Sequence, residues 1–115
     1  VVWGPGRIQA GSKSDEMMAT IDLLPTFSSL AGVKLKTNGP IDGLDQSAMI
    51  LGNGPTVRNE FLYYARNLQA FRQGNYKLRK MGKSVQLYDL SKDIGEKENL
   101  AGQKPELAQK LIARM

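Results

Sequence analysis

Between residues 61 and 88 one local pattern recurs: Phe61-Leu62-Tyr63-Tyr64, Ala70-Phe71-Arg72-Gln73, Tyr76-Lys77-Leu78-Arg79 and Val85-Gln86-Leu87-Tyr88. The segments are short, rich in aromatic and branched side chains, and lie about ten residues apart, with Gly74-Asn75 and Gly82 between them. This spacing is that of an antiparallel meander. In Tyr76-Lys77-Leu78-Arg79 the side chains alternate strictly, so one face of the sheet is apolar and the other basic. Ser91-Lys92-Asp93-Ile94-Gly95 reads as a turn. Pro105 suits the first turn of a last helix, over about 105–114, whose Leu107, Ala108, Leu111 and Ile112 form a stripe that would pack on the sheet. The fold class is therefore α+β: a small antiparallel sheet of about four strands against a C-terminal helix, preceded by a helical and loop-rich segment.

That preceding segment is governed by Pro25. Ser14 to Gly32 has the composition of one long helix, but an internal proline costs roughly 3 kcal/mol through a lost hydrogen bond and a clash. Starting the helix at Asp22 removes the conflict. Pro25 then falls in the first turn, where its missing N–H has no intrahelical bond to lose, and Asp22 becomes the N-cap, accepting from the free N–H groups of that turn. The helix spans about 22–31. Leu23, Leu24, Phe27, Leu30 and Ala31 form its apolar face, and Gly32 suits its end. Met17, Met18 and Ile21 are expected to pack inward from a separate short segment. Asn38-Gly39-Pro40, Asp42-Gly43 and Gly52-Asn53-Gly54-Pro55 are turn signals, with a short helical turn over Ser47–Leu51 between them. The division falls near Asn53–Pro55, giving segments 1–54 and 55–115.

The chain of 115 residues contains neither Cys nor His. Disulfides, thiolate nucleophiles, the commonest general base and the commonest transition-metal ligand are all excluded from it. The net charge is +5, and much of the excess sits in Arg72, Lys77, Arg79, Lys80 and Lys83. Such a cluster can attract polyanions, but the aromatics do not interleave with it as a base-stacking platform requires. No apolar run reaches the ~20 residues needed to span a bilayer. Neither a nucleic-acid nor a membrane partner is expected. Val1-Val2-Trp3 reads as the end of a strand, and the chain as a fragment of a longer protein.

The order of several motifs resembles the closing part of the sulfatases. Ser14-Asp15-Glu16 followed by Thr20-Ile21-Asp22-Leu23-Leu24-Pro25-Thr26 and Leu30-Ala31-Gly32 is similar to the family's D-x-x-P-T…L-A-G helix. Ile41-Asp42-Gly43 and Leu51-Gly52 resemble its D-G…L-L-x-G linker. Arg58, Phe61, Tyr63-Tyr64, Ala70, Arg72, Gly74 and Lys77-Leu78 resemble the strands of its C-terminal subdomain. Leu87-Tyr88-Asp89-Leu90, Asp93, Gly95-Glu96 and Asn99-Leu100-Ala101 resemble its closing turn. The match covers nearly the whole chain; Gly4, between Trp3 and Pro5, departs from many relatives.

The resemblance implies a fragment of a sulfate-ester hydrolase: residues 1–54 the tail of the catalytic domain and linker, residues 55–115 the C-terminal subdomain. The full-length enzyme would use calcium and a formylglycine made in a C/S-x-P-x-R motif. This chain has neither that motif nor any His, so it carries no catalytic residue and no metal ligand, and is expected to be inactive alone. Its partner would be the N-terminal catalytic domain, with self-association of the fragment as a further expectation. Many relatives are periplasmic, secreted or lysosomal. The loop Ala65-Arg66-Asn67-Leu68-Gln69 is the candidate pocket-lining element: Arg66 can pair with sulfate or carboxylate oxygens and Asn67 with sugar hydroxyls, while Arg72 offers a second basic contribution. The alternatives are a phosphate or phosphonate monoester hydrolase of the same superfamily, and a free-standing basic binding or interaction domain. Asp89 and Asp93 are expected to bond nearby backbone N–H groups rather than calcium.

Overall fold

The computed structural model describes residues 1–66 and 68–115, Leu68 by its backbone alone. The chain forms two compact units, Val1–Asn59 and Glu60–Met115.

In the second unit β1 (Glu60–Ala65), β2 (Leu68–Gln73), β3 (Tyr76–Met81) and β4 (Ser84–Asp89) form one sheet in the order β1-β2-β3-β4. Every neighbouring pair is antiparallel and unbroken in register, as the meander pattern requires. Gly74 and Gly82 make the reversals possible by adopting φ of 54° and 59°, a region open to glycine at little cost. Register places Leu62, Phe71, Leu78 and Leu87 in one row across the sheet. Residues opposite one another project to the same face, and α3 (Pro105–Arg114) covers this one. Phe71, Leu78, Leu87, Ala108 and Leu111 form the core, with Tyr76, Val85, Leu100, Leu107 and Ile112 around it. α3 has proline in its first turn and places Glu106 early and Arg114 late, as the helix dipole favours. Arg114 closes a forked ion pair on Glu60, at 3.1 and 2.7 Å.

The β4 edge of the sheet is closed by the segment that follows it. Across a two-residue turn the flanking residues bond each other, so Gln73 and Tyr76 bond across β2–β3; alternation then turns the N–H and C=O of Leu87 outward from β4. The Asn99 side chain accepts from Leu87 N–H at 3.0 Å, and Leu100 N–H donates to the Leu87 carbonyl at 2.7 Å. The chain thereby caps its own β4 edge.

In the first unit a single 3₁₀ turn (Thr20–Asp22) runs into α1 (Leu23–Leu30), and α2 (Ser47–Ile50) is one turn long. Pro25 is the third residue of α1, within its first turn. The interior of this unit is polar. Its buried residues, among those described, are Asp22, Thr26, Gln46 and Arg58 together with one apolar side chain, Met17. The expected inward apolar face of α1 points the other way: Thr26 is 0% exposed, whereas Leu24 and Phe27 are 57% and 52% exposed. Ile21, expected inside with Met17, is exposed as well. Among the described residues no helix is long and apolar enough to cross a membrane.

The two kinds of interior respond differently to truncation. Leu78→Ala, in the fully buried row, is expected to destabilise the sheet unit by about 3 kcal/mol in urea unfolding, through lost transfer energy and the cavity left behind. Leu62→Ala, at the exposed end of the same row, should cost less than about 1 kcal/mol.

Candidate functional site

Asp22 is not the helix cap its position suggests. Its own backbone is helical, and its carboxylate makes no bond to the first turn of α1. The carboxylate instead collects donors from three places in the sequence. Ala19 N–H reaches Oδ2 at 2.9 Å, Leu44 N–H reaches Oδ1 at 2.8 Å, and Arg58 donates from Nε to Oδ2 at 2.8 Å and from Nη2 to Oδ1 at 2.5 Å. Arg58 Nη2 also donates to the Asp42 carbonyl at 2.8 Å. Gly43 follows directly. A side chain there would overlap the Ile21 carbonyl, so only glycine lets this strand of chain cross the start of α1.

Thr26 and Gln46 extend the network. Thr26 Oγ1 accepts from Gln46 N–H at 2.9 Å, and Gln46 Oε1 accepts from Val57 N–H and from Thr56 Oγ1, both at 3.1 Å. Thr56 Oγ1 also lies 2.7 Å from the Met17 carbonyl and accepts from Arg58 N–H at 3.0 Å. Burial pushes the Asp22 pKa up, but the Arg58 hydrogen bonds, the Leu44 and Ala19 N–H groups and the Arg58 charge together outweigh it and hold the carboxyl at about 2. Arg58 is correspondingly held more firmly protonated by the Asp22 carboxylate. A carboxylate so sequestered is neither a base nor a metal ligand. It clamps three loops.

The sheet face opposite α3 carries most of the clustered positive charge. Cross-strand register aligns Phe61, Arg72, Lys77 and Tyr88 in one row and Tyr63, Ala70, Arg79 and Gln86 in the next. Three of the five clustered cations therefore share a face. Lys80 falls on the other face, in the row of Tyr64, Gln69 and Val85, and Lys83 lies between β3 and β4. Glu96, whose backbone sits at φ 53°, reaches over this face. It takes Lys77 Nζ at 2.5 Å and Arg79 Nη1 at 3.3 Å, and Lys77 Nζ also lies 5.1 Å from the centre of the Tyr63 ring. Arg72 spends Nε on the Gly74 carbonyl at 2.9 Å.

Of the sequence-derived candidates, Arg66 and Arg72 lie apart. Arg66 is exposed, between β1 and β2, at φ 47°. Arg72 is four register rows away, about 13 Å along the strand. Asn67 lies outside the described residues. The five-residue loop around it is also shorter than expected, since Ala65 belongs to β1 and Leu68 and Gln69 to β2. Tyr88 is buried on the cationic face, while Tyr64 is 71% exposed.

The acidic closing turn is occupied by its own backbone. Asp89 Oδ1 accepts from Ser91 N–H and Oγ, and Asp93 Oδ2 accepts from the N–H groups of Lys97 and Glu98 at 2.7 and 2.8 Å. Among the described residues no three carboxylates gather as a metal site requires. No chemical step is assigned to this chain.

No protein-family model matches the chain. It is 34% identical to arylsulfatase A of Homo sapiens over 140 aligned positions, covering 93% of this chain and 27% of that protein. It is 40% identical to N-acetylgalactosamine-6-sulfatase of Canis lupus familiaris over 77 positions, covering 67% of this chain and 15% of that protein. Among solved structures, Ps i-CgsB in complex with k-i-k-neocarrahexaose superimposes with a TM-score of 0.80 at 25% identity, over 96% of this chain and 26% of that one. The chain thus spans about a quarter or less of the length of each protein it matches.

Two measurements probe these arrangements. The folded pKa of Asp22 lies below its ordinary value of 3.8, so the stabilisation from its ionised form is complete above that value and is lost as pH falls to about 2. The amides of Ala19 and Leu44 are expected to lose about 2 kcal/mol of hydrogen-exchange protection over that interval. Asp22→Asn, which strands a buried guanidinium, should cost about 3–5 kcal/mol at neutral pH and remove this acid dependence. On the sheet face, Glu96→Gln releases Lys77 and Arg79. It is expected to raise the salt needed to elute the chain from a sulfated matrix, and Arg72→Ala to lower it.

Proposed function

We propose, from the premise that this chain belongs to the sulfatase family, that it is the C-terminal part of a sulfate-ester hydrolase, supplying structure and substrate-pocket contacts to a catalytic domain encoded before it. The observation that carries this reading is the conjunction of two facts. The chain matches arylsulfatase A along 93% of its own length but only 27% of that enzyme's, and α1 turns Leu23, Leu24 and Phe27 outward around a polar interior. A helix that exposes its apolar side and buries a threonine is built to pack on something else. In the proposed enzyme that covering surface belongs to the catalytic domain, and the Asp22–Arg58 clamp holds α1 ready for it.

In this reading Arg66 and Asn67, between β1 and β2, contact the organic part of the substrate, and Arg72 with Lys77 presents positive charge to a sulfated sugar. The relatives named for arylsulfates and for N-acetylgalactosamine 6-sulfate favour an ester of this class, recognised here by charge and hydrogen bonds rather than cleaved. Bond cleavage belongs to residues outside this chain, because nothing in it can act as a nucleophile activated by a partnered base.

The reading is tested at two levels. Purified residues 1–115 with calcium are expected to release no sulfate from an aryl sulfate; measurable turnover would place catalysis within this chain and overturn the assignment. The gene upstream of Val1 is expected to encode a C/S-x-P-x-R motif. With that longer product in hand, Arg66→Ala should raise KM for a sulfated sugar several-fold with little change in kcat, the mark of a residue that binds substrate and transition state alike.

A further inference from the structure

We propose that Asn38 is a self-modifying position, at which the folded chain converts an asparagine side chain to aspartate or isoaspartate without an enzyme and without unfolding. The tripeptide Asn-Gly-Pro occurs twice, as Asn38-Gly39-Pro40 and Asn53-Gly54-Pro55. Asparagine is a thermolabile residue, and glycine after it favours the reaction, because a residue with no Cβ lets its amide nitrogen swing back onto the preceding side chain. The two copies share this chemistry. What separates them is the structure around each.

Hydroxide removes the Gly39 N–H proton, and the nitrogen attacks Cγ of Asn38. A bond from Gly39 N to Cγ forms, the Cγ–Nδ2 bond breaks, and ammonia leaves with a proton taken from water. Water then opens the cyclic imide at either carbonyl. Opening at Cγ restores the ordinary backbone, with aspartate at position 38. Opening at the backbone carbonyl leaves isoaspartate, whose main chain runs through the side-chain carbons. Water and hydroxide are the only co-reactants. Either product adds one negative charge at neutral pH, lowering the net charge of +5 by one.

Ring closure requires the backbone around the asparagine to turn. Asn38 and Gly39 are both exposed and lie outside any helix or strand. Nothing stands within 4 Å of the place a Cβ on Gly39 would take. The Thr37 hydroxyl donates to the Gly39 carbonyl at 2.6 Å, engaging that carbonyl rather than the attacking nitrogen. Asn53 is held. Gly52, at φ 73°, donates its N–H to the Met49 carbonyl at 3.1 Å, and Asn53 N–H donates to the Ala48 carbonyl at 2.8 Å. These two bonds close α2 as a Schellman end, and Asn53 turns only by giving one up. Asp42-Gly43 is a related step, but a carboxylate is a poorer electrophile than a carboxamide, and Gly43 is seated against the Ile21 carbonyl. The segment holding Asn38 is anchored on both sides, by Val33 N–H on the Ser28 carbonyl at 2.9 Å and by Leu44 N–H on Asp22 at 2.8 Å. The extra backbone atom of isoaspartate therefore falls in exposed chain between fixed points, where insertions are tolerated, and the fold persists.

Incubation of residues 1–115 at mildly alkaline pH tests this, with fragmentation mass spectrometry to place each carboxamide-to-carboxyl mass gain and circular dichroism to follow folding. In the folded chain, conversion at Asn38 is expected to run at least about fivefold faster than at Asn53, the factor that one backbone hydrogen bond supplies. In guanidinium chloride, where only the shared tripeptide remains, the two should convert at similar rates. Gly39→Ala, which the open space accommodates, should slow conversion at position 38 severalfold in the folded chain. The aged protein should keep the circular dichroism of the fresh one. Conversion at Asn53 that matches Asn38 in the folded chain, a difference between them that persists in full in guanidinium chloride, no slowing by Gly39→Ala, or unfolding that accompanies conversion at Asn38 would each overturn the proposal.

Discussion

The first unit depends on one ion pair. Asp22 and Arg58 stand 36 residues apart in sequence, and their pairing joins the entry to α1, the Asp42-Gly43 crossing and the segment leading into the sheet. Such a pair is not by itself a large source of net stability, since two charges must first leave water. What it supplies is uniqueness. The guanidinium fork fits two carboxylate oxygens and one carbonyl, which ties three distant segments to one geometry. Gly43 enforces the same geometry sterically, because the Ile21 carbonyl occupies the space a side chain would need.

Residues that mark the family turn out to be structural in this chain. Asp22, Thr26 and Arg58 make the buried network, Asp89 and Asp93 fold the closing turn onto itself, and Asn99 and Leu100 cap one edge of the sheet. The carboxylates of Asp22, Asp89 and Asp93 lend themselves to catalytic or metal-binding readings from sequence, and each accepts from backbone N–H groups. The groups on which the proposed function draws are instead Arg66 and the cations of the sheet face.

The sheet was legible in the sequence because its information is local. Alternation in Tyr76–Arg79 and the turns at Gly74 and Gly82 specify strands and reversals within a few residues. α3 was legible from Pro105 and its apolar stripe for the same reason. The role of Asp22 was not. An acidic residue before an apolar helix with proline in its first turn is chemically identical to a cap, and the partner that changes its meaning lies in a distant loop. Nor could helical periodicity tell which way α1 faces. An apolar stripe signals burial, and only the burial of Thr26 with Gln46 shows that this helix is anchored within its unit by its polar side. The cationic face was half legible: alternation predicted it, but Glu96 arrives from beyond the sheet on a left-handed backbone that no strand pattern announces.

The contrast between the two interiors reaches into their heat capacities. Exposing apolar surface raises the heat capacity on unfolding, whereas exposing polar surface lowers it. The sheet unit, closing on Phe71, Leu78, Leu87 and Leu111, has a strongly curved stability profile with a defined optimum temperature. The unit built on Asp22, Thr26, Gln46 and Arg58 is expected to have a shallower one, with less of its stability lost on cooling. One short chain thus joins two halves whose stabilities run on different thermal clocks.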